Sequence, residues 1–102
     1  MTIFYSPLAK SDLTDIHTYL EYEFDNEALA DNCIKATLKR IRMLETFPEM
    51  GASLSNIVNV ETDYRYLVCE KSVAIYKTYD DTVEIIRILS DRRDYMKVLF
   101  GK

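Results

Sequence analysis

The period of hydrophobic and polar positions changes along the chain, and each change marks an element. TIFYS, residues 2 to 6, is β-branched and aromatic and predicts a short strand. It is closed by Ser6-Pro7, a pair suited to a helix N-cap and first helical position. From Pro7 the apolar residues Leu13, Ile16 and Leu20, flanked by Ala9 and Phe24, recur at steps of three and four, while Lys10, Asp15 and Glu21 mark another side. That spacing predicts an amphipathic helix to about Glu23. Asp25 and Asn26 are both suitable N-caps for a second helix, and Glu27 favours its first turn. Ala30, Cys33, Ile34, Thr37, Leu38, Ile41 and Leu44 then form one stripe that carries this helix to about Phe47, where Pro48 and Gly51 stop it. So short a connection predicts an antiparallel helical hairpin.

Residues 49 to 62, EMGASLSNIVNVET, show neither period and predict a loop, with a short strand at Ile57 to Val60. Beyond them the period is two. DYRYLVC, SVAIYKTY and TVEIIRIL predict three strands, and the polar separators Glu70-Lys71 and Asp80-Asp81 predict hairpins between them. From Arg92 to Phe100, Tyr95 or Met96 with Leu99 and Phe100 has helical spacing and predicts a short terminal helix.

The expected fold class is therefore α+β, in the order β-α-α-β-β-β, with the helical hairpin packed on a small, mainly antiparallel sheet. Residues 1 to 102 are expected to form one domain, because no linker or repeat divides them. Strict alternation along TVEIIRIL puts Val83, Ile85, Arg87 and Leu89 on one face and Glu84, Ile86, Ile88 and Ser90 on the other. Arg87 then shares a face with apolar neighbours, either reaching past the sheet edge or sitting in a concave, partly desolvated place.

Composition narrows the picture. Of 102 residues, 48% are hydrophobic and 29% charged, with two glycines and two prolines, which is globular rather than disordered. No run reaches the roughly 18 apolar residues of a membrane span, and MTIFYSPLAK lacks a signal peptide's basic start and long apolar stretch. The expected location is the cytoplasm, with no membrane partner. Cys33 and Cys69 stand in no CxxC spacing and His17 is the single histidine, so no metal set or cofactor is expected. Both cysteines read as buried thiols, and His17 as a solvated or helix-packing residue.

The net charge of -4 argues against broad binding to nucleic acid by phosphate neutralisation. The charge is unevenly placed: residues 87 to 102 hold five basic groups against two acidic ones, a local +3 on a body of -7. Such a tail is either a focused anion site or a solvated terminus. Tyr64, Tyr66, Tyr76 and Tyr79 are open to two readings, a base-stacking surface or ordinary strand packing, and strand preference favours packing.

Three pieces together give the chain a resemblance to a family: FYSPLAKSDLTDIHTYL, the helix end LETFPEMG, and YRYLVCEKSVAIYKTYDDTVEIIRILSDRRDY. In order, spacing and length they resemble the RelE/ParE superfamily of bacterial toxins from type II toxin–antitoxin modules, over nearly the whole chain. The resemblance implies a protein that inhibits growth when free and is neutralised by a cognate antitoxin. The assembly expected is a homodimer or a toxin–antitoxin hetero-oligomer. It leaves the target open, because RelE-like members cut mRNA on the ribosome and ParE-like members poison DNA gyrase on the same fold. Whether the chain is an enzyme stays open with it.

Cleavage of RNA needs cations on the scissile phosphate, and arginine suits that task because it stays charged and bonds phosphate in pairs. Similarity to RelE-like members implies Arg65, Arg92 and Tyr95 as catalytic residues if the chain is an mRNA endonuclease. Arg87, Arg93 and Lys97 are expected to contact the target or the antitoxin. Ser90-Asp91 stands where many relatives place a histidine, Asp91 and Asp94 dilute the local positive charge, and the Asp-Leu-x-x-Ile pattern of the first helix is more ParE-like. A gyrase poison is therefore favoured over a ribosome-dependent nuclease. A member that only binds its antitoxin is the third reading.

Overall fold

The computed structural model of the chain describes residues 1–56 and 61–90. Among these, β1 (Thr2–Tyr5) leads into α1 (Pro7–Phe24) and α2 (Glu27–Arg42). β2 (Ala52–Ser53), β3 (Arg65–Val68), β4 (Ser72–Tyr79) and β5 (Thr82–Ser90) follow. Five strands form one sheet in the order β1-β5-β4-β3-β2. All neighbours are antiparallel except β1 and β5, which run parallel with Thr2 opposite Thr82 and Tyr5 opposite Ile85. The α+β class and the helical hairpin follow the sequence expectation. The two-residue β2 adds a strand to it, while the strand expected at Ile57–Val60 and the helix expected from Arg92 lie outside the described residues.

The helix boundaries have local causes. The Ser6 side chain accepts from the Ala9 N–H at 3.0 Å and also donates to the Ile86 carbonyl at 2.7 Å, so one hydroxyl caps α1 and ties it to β5. Asp25 ends α1 in the left-handed region at φ 48°, which leaves Asn26 to cap α2 by accepting from Leu29 N–H at 3.0 Å. Lys39, Arg40 and Arg42 stand in the last turn of α2, where the helix dipole favours cations. A short 3-10 turn, Met43–Glu45, closes the hairpin.

The hairpin covers one face of the sheet. Ile16 and Leu20 of α1 and Ala30, Cys33 and Ile41 of α2 pack with Leu67, Ala74, Tyr76, Val83, Ile85 and Ile88. Each large side chain so buried contributes about 1.5–3 kcal/mol of transfer free energy. Val73, Ile75 and Leu89 are buried as well but stand outside this cluster, so β4 is covered on both faces. Thr37, inside the α2 stripe, donates its hydroxyl to Cys33 O at 2.9 Å and so buries no unsatisfied group.

Strict alternation fails in β5. Ile75 lies opposite Arg87 but Tyr76 lies opposite Ile85, so Ile86 is an extra residue and the strand carries a bulge. The insertion reverses the alternation. Ile88, not Leu89, joins Val83 and Ile85 on the helix-covered face, which corrects the expected facing.

Candidate functional site

Two arginines singled out in the sequence are described, and both are engaged by the protein itself. Arg65 on β3 shares the helix-covered face with Leu67, at the end nearest the Pro48–Gly51 turn that leaves the helical hairpin. Its guanidinium donates to Gly51 O at 2.7 Å and makes a longer contact of 3.5 Å to Glu49 O. Tyr76, opposite Arg65 on β4 and fully buried, holds the same turn. Its hydroxyl donates to Pro48 O at 2.9 Å and accepts from Gly51 N–H at 3.0 Å. Burial raises the Tyr76 phenol above its ordinary pKa, with the Gly51 N–H and the Arg65 charge pulling the other way. Gly51 is required here by space: a Cβ would stand 2.6 Å from both Tyr66 O and the Tyr76 hydroxyl.

Arg87 meets Asp12 of α1. Nε and Nη2 donate to the two carboxylate oxygens at 2.8 and 2.9 Å, the paired geometry that arginine and carboxylate favour. The Ile88 N–H donates to the same carboxylate at 2.9 Å. Asp12 therefore closes the stretch of β5 beyond the end of β1, a stretch where Ser6 already takes the Ile86 carbonyl. Both side chains are largely buried, at 19% and 10% exposure. The bonds to Asp12 raise the Arg87 pKa further, so the guanidinium stays charged where it meets the carboxylate. Asp12 entered the sequence reading only as the first residue of the Asp-Leu-x-x-Ile pattern, and not as a partner for an arginine. Its one signal is position, between Ala9 and Ile16 on the inward side.

The remaining candidates, Arg92, Arg93, Tyr95 and Lys97, lie outside the described residues. The tyrosines do not form one stacking platform: Tyr66 pairs with Ile75 and Tyr76 with Arg65, which puts the two on opposite faces of the sheet. His17 meets Asp31 across the helical hairpin at 2.7 Å. Cys33 is buried and Cys69 half-buried, with burial pushing the Cys69 thiol up to about 11. A thiol so shifted is a poor nucleophile at neutral pH. Among the described residues no three His, Cys, Asp or Glu side chains gather closely enough to hold a metal ion, and no helix is long and apolar enough to cross a membrane.

A solved structure described as "Chromosomal ParDE TA system from P. aeruginosa" has the same fold, with a TM-score of 0.74 at 18% identity, covering 88% of this chain and 95% of that one. A helical hairpin on a mixed, mainly antiparallel sheet is thus the architecture of a chain from a toxin–antitoxin system. The family model for the ParE toxin of the type II toxin-antitoxin system parDE matches residues 3–95, and the chain belongs to that family. No curated protein sequence matches the chain.

Proposed function

We propose that this toxin acts by poisoning DNA gyrase and is silenced by a cognate antitoxin, rather than by cutting mRNA. The observation that carries this reading is the position of Arg65. A nuclease would need its guanidinium free to receive a scissile phosphate, and here it donates to Gly51 O at 2.7 Å inside a turn that Tyr76 also clamps. Membership of the ParE family supports the same direction, and a gyrase target places the toxin in the cytoplasm. Of the residues that nuclease chemistry would recruit, Arg65 is the one among the described residues, and it secures a turn. Arg87, expected as a target or antitoxin contact, is paired with Asp12. Poisoning a protein target requires shape and contact, not a general base.

The test is expression without antitoxin, followed by transcript mapping and a cleavage assay on purified gyrase. The expected result is a DNA-damage response and gyrase-linked breaks with intact transcripts. Cuts within translated messages and no effect on gyrase would replace this reading with the nuclease one. Normal growth with neither effect would leave a chain that only binds its antitoxin.

A further inference from the structure

Four exposed cations stand at the open end of the helical hairpin, apart from both the Arg65 turn and the Asp12 pair. Lys35, Lys39 and Arg42 follow one another on α2 at steps of four and three, which aligns them along one side of the helix over about 10 Å. Lys10 of α1 joins them. The contact between His17 and Asp31 fixes the antiparallel register of the hairpin, and the same step back along α1 and forward along α2 brings Lys10 level with Leu38. All four are exposed, and among the described residues none of them forms an ion pair. An acidic group at this end is Glu45, which sits with Arg42 beside Ile3 and Tyr5.

Helix stabilisation accounts for only part of this row. The dipole favours Lys39 and Arg42 in the last turn of α2. Lys10 stands at the start of α1, whose first turn holds no acidic residue, and there the dipole opposes a cation. The row also lacks what the centre of a protein interface is built on. Its exposed neighbours on the two helices are Ser11, Thr14, Asn32 and Ala36, polar or small, with no aromatic anchor among them. Hydroxyl and amide groups beside cations suit sugar and phosphate. At about 3.4 Å of axial rise per phosphate on one strand, a row of about 10 Å spans roughly three phosphates. The turn end of the hairpin has the opposite sign, with Glu21, Glu23, Asp25 and Glu27 all exposed. A duplex is therefore attracted at the open end and repelled at the turn, which fixes where it lies.

We propose that this basic row grips the phosphate backbone of the DNA that gyrase holds, so that the toxin bridges enzyme and duplex. The proposal rests on the gyrase reading and gives it a second contact. By itself the row binds DNA weakly, because the chain carries a net charge of -4 and so few cations release few counterions. Once the toxin is on gyrase, the duplex beside it is at an effective concentration on the order of millimolar, and a weak contact is enough.

The experiment uses the whole toxin chain, purified gyrase and a linear duplex. Lys35→Gln, Lys39→Gln and Arg42→Gln are combined in one variant; all three side chains are exposed, and a thermal midpoint checks that it is folded. Its affinity for DNA-free gyrase should match wild type, while gyrase-linked breaks at limiting toxin fall on the order of 10-fold. The salt dependence of break formation should lose about one unit of log–log slope for each cation removed. Glu21→Gln with Glu23→Gln, at the turn end, should yield at least as many breaks as wild type. Independently of the triple variant's folding, a photoreactive side chain at Ala36 should cross-link the duplex when gyrase is present. Wild-type break formation in the folded triple variant overturns the proposal, even if its antitoxin affinity drops, which would make the row an antitoxin contact. Lost affinity for DNA-free gyrase overturns it as well, since the row would then touch protein. So does the absence of a cross-link from Ala36 in a complex that still forms breaks. Each of these outcomes leaves the gyrase reading standing; if the wild-type toxin neither binds gyrase nor produces breaks, that reading falls and the DNA contact falls with it.

Discussion

Asp12 and Arg87 are 75 residues apart in the chain and face each other through two nearly equal hydrogen bonds of 2.8 and 2.9 Å. The pair joins the first helix to the last described strand at the point where β5 bulges and β1 has ended. A third bond, from the Ile88 N–H, makes the carboxylate a substitute for the strand neighbour that is missing there. An arginine that reads as functional in the sequence is thereby placed within the framework of the fold.

Breaking this pair from one side should be strongly destabilising. Asp12→Ala leaves a buried guanidinium uncompensated and the Ile88 N–H without its partner, and should lower the unfolding free energy by about 3–5 kcal/mol. Replacing both partners, Asp12→Leu with Arg87→Met, should recover much of that loss, since a well-packed apolar pair avoids the desolvation of two charges. Urea unfolding of the two singles and the double measures the coupling. Additive losses would mean that the two groups act separately.

The turn from Pro48 to Gly51 should be equally sensitive. Gly51→Ala drives a Cβ to 2.6 Å from the Tyr66 backbone carbonyl, which a flexible side chain cannot relieve by moving aside. Overpacking of this kind costs about 1–3 kcal/mol. Tyr76→Phe removes the group that pairs with Pro48 O and Gly51 N–H, and a buried unsatisfied donor costs about 1–3 kcal/mol. Both variants should melt earlier than wild type. A Tyr76→Phe protein with an unchanged melting temperature would show that water replaces the hydroxyl.

The helical hairpin and the two β-hairpins were legible in the chain because their signals are local. Apolar steps of three and four mark α1 and α2, Ser6-Pro7 marks the start of α1, and Asp80-Asp81 marks a two-residue turn whose Asp80 takes φ 51°. The parallel pairing of β1 with β5 has no local signal, since it joins residues 80 positions apart. The bulge at Ile86 carries no glycine to announce it, and it reverses the facing of everything after it. At the site, Arg65 and Arg87 stood out as arginines among strand residues. Their partners, Gly51 O and Asp12, are set by tertiary packing alone.

Cys69 provides a pH test. Burial raises its thiol from an ordinary value of 9.0 to about 11, so the folded protein holds the proton more tightly than the unfolded chain does. Its contribution to stability is complete below pH 9 and is lost as pH rises from there towards 11. Tyr76, shifted in the same direction, adds to the loss above its ordinary value of 10.0. Unfolding free energy followed from pH 8 to pH 11 should therefore fall, and Cys69→Ala should fall less steeply across the lower part of that window. Identical slopes would place the alkaline sensitivity elsewhere.

Arg65 separates a framework role from direct action on a target. Arg65→Ala removes a charged donor from Gly51 O, and hydrogen bonds to charged groups contribute about 1.5–3 kcal/mol. The variant should unfold more easily and lose toxicity only in proportion to the folded toxin it supplies. At a temperature where it is fully folded, it should still produce gyrase-linked breaks. Arg65→Lys should fall between, because an ammonium can reach one carbonyl but lacks the planar fork. A variant with an unchanged melting temperature and no toxicity would instead put the guanidinium in direct contact with the target, and the turn would be only its resting place.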